Sequence, residues 1–132
     1  MLDTILDKIN SRLKTEEISG NVELCTFNEY KGFKRRRGIY VIYDNEKVIY
    51  VGKGFFKARN HSHYKKAVNE APYYPDGWMW FKNTYDYNIS DWNLVVVEIA
   101  SEVDITFMEG AIIKDLKPLA NDETFKDRLT VV

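Results

Sequence analysis

Residues 38–43 and 47–52 are two short apolar runs, rich in β-branched and aromatic side chains, with only Asp44, Asn45 and Glu46 between them. Such a pair has few ways to fold: each run reads as a strand, and the short connection makes them a hairpin. Residues 93–100, with Leu94, Val95, Val96 and Val97 at their centre, read as a buried strand, and residues 22–27 as a short one. Leu2, Ile5, Leu6, Ile9 and Leu13 recur at helical spacing and predict an amphipathic helix over 2–14. That helix either covers the sheet or pairs two protomers in a homo-oligomer. A second helix is expected from Phe55 to about Ala71, ended by Pro72. Ser101, Glu102, Val103 and Asp104 resemble a capping box that opens a helix to Leu116, stopped by Pro118. Residues 72–92 read as irregular and aromatic, and 122–132 as a polar tail. With no repeat, linker or low-complexity stretch, one α+β domain is expected.

Composition narrows the class. At 45% hydrophobic and 30% charged residues, the 132-residue chain is neither disordered nor collagenous and is long enough for its own core. No apolar run approaches the roughly 20 residues of a membrane span, and the opening residues read as an amphipathic segment, not a signal peptide. No membrane partner is expected. A single Cys25 excludes an internal disulfide and a Cys-rich zinc site, and fits a reducing, cytoplasmic setting.

The net charge of −1 hides an asymmetry. Residues 31–66 carry eleven basic side chains against Asp44 and Glu46, a net of +9, while 1–30 carry −3 and 67–132 carry −7. A basic block on an otherwise acidic chain is the pattern of a polyanion-binding face, or of a solvated loop.

Glu109 breaks the pattern of its helix. Ile105, Met108, Ile112, Ile113 and Leu116 form an apolar stripe, and Glu109 stands in its middle. A carboxylate there needs a cation partner, a metal, a proton or a solvent-exposed rim. On the helix after the hairpin, Arg59 and His63 lie four residues apart and share one side. Arg59 has the planar fork of a phosphate ligand and His63 can carry a proton near neutral pH; ordinary surface charge gives the same spacing.

Gly38-Ile39-Tyr40 and Tyr50-Val51-Gly52 resemble the signature tripeptides of the GIY-YIG nuclease family, with Val51 for the motif's Ile. Arg59, His63, Glu109 and Asn121 follow in that family's order. The resemblance covers residues 35–125, leaving 1–34 as an N-terminal helix and extension and 126–132 as a tail. It implies a small sheet of three antiparallel strands flanked by helices, and divalent-metal-dependent hydrolysis of a DNA phosphodiester. In the roles it implies, Tyr40 orients or deprotonates water, aided by His63 and beside Tyr50. Arg59 holds the scissile phosphate, Glu109 binds Mg²⁺ (or Mn²⁺), and Asn121 orders the metal end. Arg59, Lys53 and the metal would lower the Tyr40 pKa. Lys31, Lys34, Arg35, Arg36, Arg37 and Lys53 are candidates for phosphate contacts. A catalytically silent nucleic-acid-binding module on the same fold is the alternative, and a structural interaction protein a third.

For Tyr40 and Tyr50 to serve one site they must share a sheet face, most simply by standing opposite each other across a three-residue loop. A two-residue turn would pair Tyr40 with Val51 and turn Tyr50 away, unless a bulge intervenes. The aromatic side chains of 73–92 are expected mainly in packing, with base stacking as the other reading.

Overall fold

The computed structural model describes residues 1–129. Four strands form one antiparallel sheet in the order β1 (Asn21–Thr26), β4 (Asn93–Glu98), β2 (Arg37–Tyr43), β3 (Val48–Phe55). The helices are α1 (Leu2–Thr15), α2 (Phe56–Ala67), α3 (Asp76–Thr84), α4 (Glu102–Leu116) and α5 (Asp122–Leu129). The α+β expectation holds, but the sheet has four strands rather than three. The added strand is β1, on the outer edge of β4.

The central strands β2 and β4 are buried on both faces, which is why they read as continuous apolar runs. Alternation splits them cleanly. Ile39, Val41, Val95 and Val97 face an aliphatic core closed by Ile5 and Ile9 of α1 and by Ile105, Met108 and Ile112 of α4. The opening helix therefore covers the sheet, and Arg12 forks onto Asp115 of α4 at 2.8 Å through both contacts. Tyr40, Ile42, Leu94 and Val96 face the other core with Phe27, Tyr30, Phe33, Phe56, Trp78, Phe81 and Trp92. Residues 21–33 thus share the sheet and core of 35–125.

Two segments are more ordered than expected. Within 72–92, α3 starts after Pro75 and buries Trp78 and Phe81 one turn apart. These aromatic side chains pack in the core, Trp78 against Tyr50, His63, Phe81 and Trp92. In the expected polar tail, α5 occupies 122–129; its start is tied to α3 by the Gly77 N–H donating to Asp122 Oδ1 at 2.6 Å. Residues 130–132 of that tail lie outside the described residues.

The hairpin corrects the expected register while keeping its consequence. Asp44 and Lys47 close a tight turn, with the Asp44 N–H donating to the Lys47 carbonyl at 3.0 Å. Left regular, that turn would pair Tyr40 with Val51. A bulge follows: Tyr43 pairs with Val48 but Ile42 pairs with Tyr50, so Ile49 is the extra residue. Beyond it Tyr40 stands opposite Gly52, and Tyr50 lies on the Tyr40 face, two pairs along.

That pairing explains both motif glycines. A Cβ on Gly52 would lie 2.3 Å from the Tyr40 hydroxyl, and one on Gly38 would lie 1.9 Å from the Val97 carbonyl oxygen. The first glycine makes room for the phenol and the second for the β2–β4 contact.

Candidate active site

The hairpin delivers two phenols to one face, and α2 lies across them. Tyr40 is fully buried and its hydroxyl lies 2.8 Å from His63 Nε2. The two tyrosine rings stack 6.3 Å apart, and the Tyr50 ring is 4.2 Å from the imidazole. Trp78 packs against both His63 and Tyr50, and His63 is 1% exposed. His63 is therefore held in one orientation by aromatic packing. Its Nδ1 makes no hydrogen bond among the described residues.

Arg59, one turn before His63, emerges into a cleft of about 390 Å³. Lys53, Phe55 and Ala58 line it, with Ile105 and Glu109 of α4 and the Arg37–Glu102 pair at its margin. The Arg59 guanidinium lies beside the Tyr40 hydroxyl and favours its phenolate. The sequence therefore places Tyr40, Tyr50, Arg59, His63 and Glu109 together.

Burial decides the protonation states. It pushes the Tyr40 pKa far up, and Arg59 pulls it down as expected but by less than burial raises it. Tyr50 is pushed up to about 12 by the same cause. His63 is held well below its ordinary value, first by burial and then by Lys66 and Arg59. The core of the site is a neutral phenol against a neutral imidazole.

The His63 effect has a stability consequence. An unfolded His takes up a proton near pH 6.5, whereas the folded one resists it. Its contribution is complete above that pH and is lost as pH falls below it. Urea unfolding should show decreasing stability already between about pH 6.5 and 5, above the range of ordinary carboxylates. His63→Phe should flatten that interval. An unchanged slope in the variant would mean that His63 is protonated in the folded protein.

Glu109 is half-buried, and burial raises its pKa, opposed by Lys53 and Arg59. Of the two carboxylates lining the cleft, Glu102 is held by Arg37 Nη1 at 2.5 Å. The Glu109 carboxylate has no hydrogen bond or ion pair among the described residues, which hold no cluster of three or more metal-ligating side chains. One free carboxylate on an open cleft fits a cation that keeps most of its waters and takes substrate phosphate as a further ligand, as Mg²⁺ does. It does not fit an all-protein zinc or calcium cage.

Asn121, to which the resemblance gives the metal end, is held on the β3 backbone. It is 3% exposed, accepts from the Val51 N–H at 2.9 Å and donates to the Val51 carbonyl at 2.8 Å. Both ends of its amide clamp the β3 backbone between Tyr50 and Gly52, and Ala120 adds an N–H to the Ile49 carbonyl at 2.8 Å. Asn121→Ala leaves a buried N–H and C=O unpaired, at about 1–3 kcal/mol each. Denaturant unfolding should show a loss on the order of 2–5 kcal/mol; a loss under about 0.5 kcal/mol, the range of ordinary surface changes, would contradict the clamp.

The basic candidates divide. Lys31, Lys34 and Arg35 are exposed, and Lys53 lines the cleft while donating to Thr106 Oγ1 at 3.0 Å. Arg36 is instead held by Glu23 at 2.9 Å and Glu98 at 3.0 Å, and Arg37 also donates to the Ala100 carbonyl at 3.0 Å. Those two join β1, β4 and α4 to the loop. Lys66 was not singled out in the sequence; it is half-buried and acts electrostatically on His63 and Arg59. Its place three and seven residues after His63 and Arg59, on the same helical side, is the signal that would have found it.

Among the described residues no helix is long and apolar enough to cross a membrane. No protein-family model and no curated protein matches the chain. Among solved structures it is similar to the GIY-YIG N-terminal endonuclease domain of UvrC from Thermotoga maritima bound to magnesium, its catalytic divalent cation. That similarity has 17% identity and a TM-score of 0.46, over 71% of this chain and 92% of that one. A point mutant of the same domain gives 16%, 0.46, 71% and 91%. At these values the likeness is one of general shape, and the resemblance to the GIY-YIG nucleases rests on the motif residues and the geometry they take up here.

Proposed function

We propose that this chain is a divalent-metal-dependent endonuclease that hydrolyses DNA phosphodiester bonds in the cleft between α2 and α4. The observation that carries the reading is the buried Tyr40–His63 hydrogen bond, facing Arg59, with the free carboxylate of Glu109 lining the same cleft. Hydrolysis needs a deprotonated water, a held phosphate and a stabilised leaving oxygen, and these side chains supply the first two.

In this mechanism Tyr40 Oη accepts a proton from the attacking water as its own phenolic proton passes to His63 Nε2. Burial keeps His63 neutral, so that Nε2 faces the phenol with its lone pair free, while the imidazolium is stabilised only once charge builds on the phosphate. Arg59 holds the scissile phosphate and offsets the charge that builds on it. Tyr50 packs on His63 and fixes the ring; Asn121 fixes the strand that carries Tyr50. Glu109 would hold Mg²⁺ or Mn²⁺, which when bound would supply Lewis-acid stabilisation of the leaving oxygen. Lys31, Lys34, Arg35 and Lys53 contact backbone phosphates, which gives affinity without sequence reading.

The reading is tested by DNA binding without metal and cleavage with it. In EDTA, affinity should fall steeply with salt. Charge reversal at Lys34 and Arg35 should weaken binding for all sequences alike and lower the salt slope by roughly one per lost contact. Arg36 and Arg37 are left out because reversing them breaks ion pairs inside the protein. Salt-insensitive binding would contradict the assignment of the basic block.

A further inference from the structure

At the junction of β3 and α2, two adjacent phenylalanines have opposite fates. Phe56 is fully buried in the aromatic core, whereas Phe55 is 52% exposed. A lone exposed apolar side chain needs no explanation, but the place of this one does. Phe55 lies on the wall common to two hollows: the cleft of Arg59 and Glu109, and a second of about 420 Å³ lined by Lys34, Arg35, Lys57, Ala58 and His61. No carboxylate lines the second hollow. Its apolar floor is ringed by cations.

The loop that supplies two of those cations is held in an unusual shape. Arg35 has φ 60, in the left-handed region that a non-glycine residue adopts only at a free-energy cost. Such conformations persist where their surroundings fix them and gather at functional sites. Here the side chain of Arg36 is anchored by Glu23 and Glu98, and its backbone carbonyl accepts from the Phe56 N–H at 2.9 Å, which binds the loop to the Phe55 junction.

We infer that Phe55 is a stacking platform for an unpaired nucleobase of the DNA strand whose phosphate lies at Arg59, with Lys34, Arg35 and Lys57 on the neighbouring phosphates. The assignment rests on the endonuclease reading and extends it to substrate class. An aromatic floor takes the uncharged face of a base, while the cationic rim takes the anions on either side of it. The shared wall argues for a linear polyanion rather than a compact acidic ligand, because one phosphate-bearing strand fills both hollows at once. A base inside a continuous duplex presents its face to a side chain only after it is unstacked, at a few kcal/mol, a cost that an already unpaired base does not carry. The substrate is therefore one with an unpaired base next to the cleaved bond, such as a flap, bubble or overhang.

The test uses the full chain in EDTA, where nothing is cut, with a flap oligonucleotide carrying 2-aminopurine in its single-stranded arm. The controls are an abasic flap and a perfect duplex. Wild type should quench the fluorescence and prefer the base-bearing flap over the abasic one by roughly 5- to 150-fold, the range of a base–aromatic stack. Phe55→Leu, which keeps apolar bulk without a ring, should lose both the quench and the preference; Phe55→Trp should keep both. Circular dichroism checks the folds, and the wild-type quench needs no variant at all. Binding without quench or preference would mark a plain phosphate patch and overturn the platform, as would a Phe55→Leu protein that behaves like wild type. If wild type cleaves DNA but shows no base preference, this inference fails alone. If it binds no DNA, the endonuclease reading fails with it.

Discussion

Tyr40→Phe should fold like wild type and lose roughly 10²- to 10⁴-fold in cleavage rate, the usual contribution of a positioned acid–base group. The change removes one oxygen from a ring that fills the aromatic core, so packing against Phe56 and Tyr50 is kept. What goes is the hydrogen bond to His63 Nε2, whose loss leaves a buried ring nitrogen unpaired and costs about 1–3 kcal/mol of stability. The check is a single-turnover cleavage assay beside a urea melt. Wild-type turnover in Tyr40→Phe would show that the proton leaves by another path, and the Tyr40–His63 pair would then be only core structure.

Glu109→Gln should separate binding from chemistry. Glutamine keeps the size of the side chain and removes the charge that a divalent cation needs. Because burial already disfavours the Glu109 carboxylate, the neutral variant should be as stable as wild type without metal, or slightly more so. DNA affinity in EDTA should be unchanged within about two-fold, since the basic block does not depend on this residue. Cleavage should fall by several orders of magnitude with the loss of the metal's charge stabilisation.

Much of this architecture was legible in the chain. The two-sided burial of β2 and β4 shows as unbroken apolar runs, and the stripe of α4 shows Glu109 as the residue out of place. The bulge at Ile49 was not legible, since a turn sequence such as Asp44-Asn45-Glu46 permits either loop length. The strand β1 was read over 22–27, within a residue of its place, but its joining the sheet as a fourth strand was not, because only its pairing with β4 makes it part of the sheet. The helix α3 was hidden by its composition: aromatic side chains and Gly77 have modest helix propensity, and tertiary burial of Trp78 and Phe81 overrides it. Charge counts located the basic block but not the partners of Arg36 and Arg37. Those partners, Glu23, Glu98 and Glu102, stand 13 to 65 residues away in sequence. The upward effect of burial on the Tyr40 pKa was not legible for a similar reason. Neighbouring cations are visible in a sequence, whereas complete desolvation of a phenol is visible only in the fold.

The most direct measurement is a plasmid-nicking time course with Mg²⁺ or with EDTA, run on wild type and Glu109→Gln beside a gel-shift titration of each. Wild type should nick in Mg²⁺ only, the variant not at all, and both should bind equally. Nicking by the folded variant at the wild-type rate, or by wild type in EDTA, would contradict the assignment of Glu109 and its metal. Two proteins that bind DNA but never cut it would make the fold a binding module.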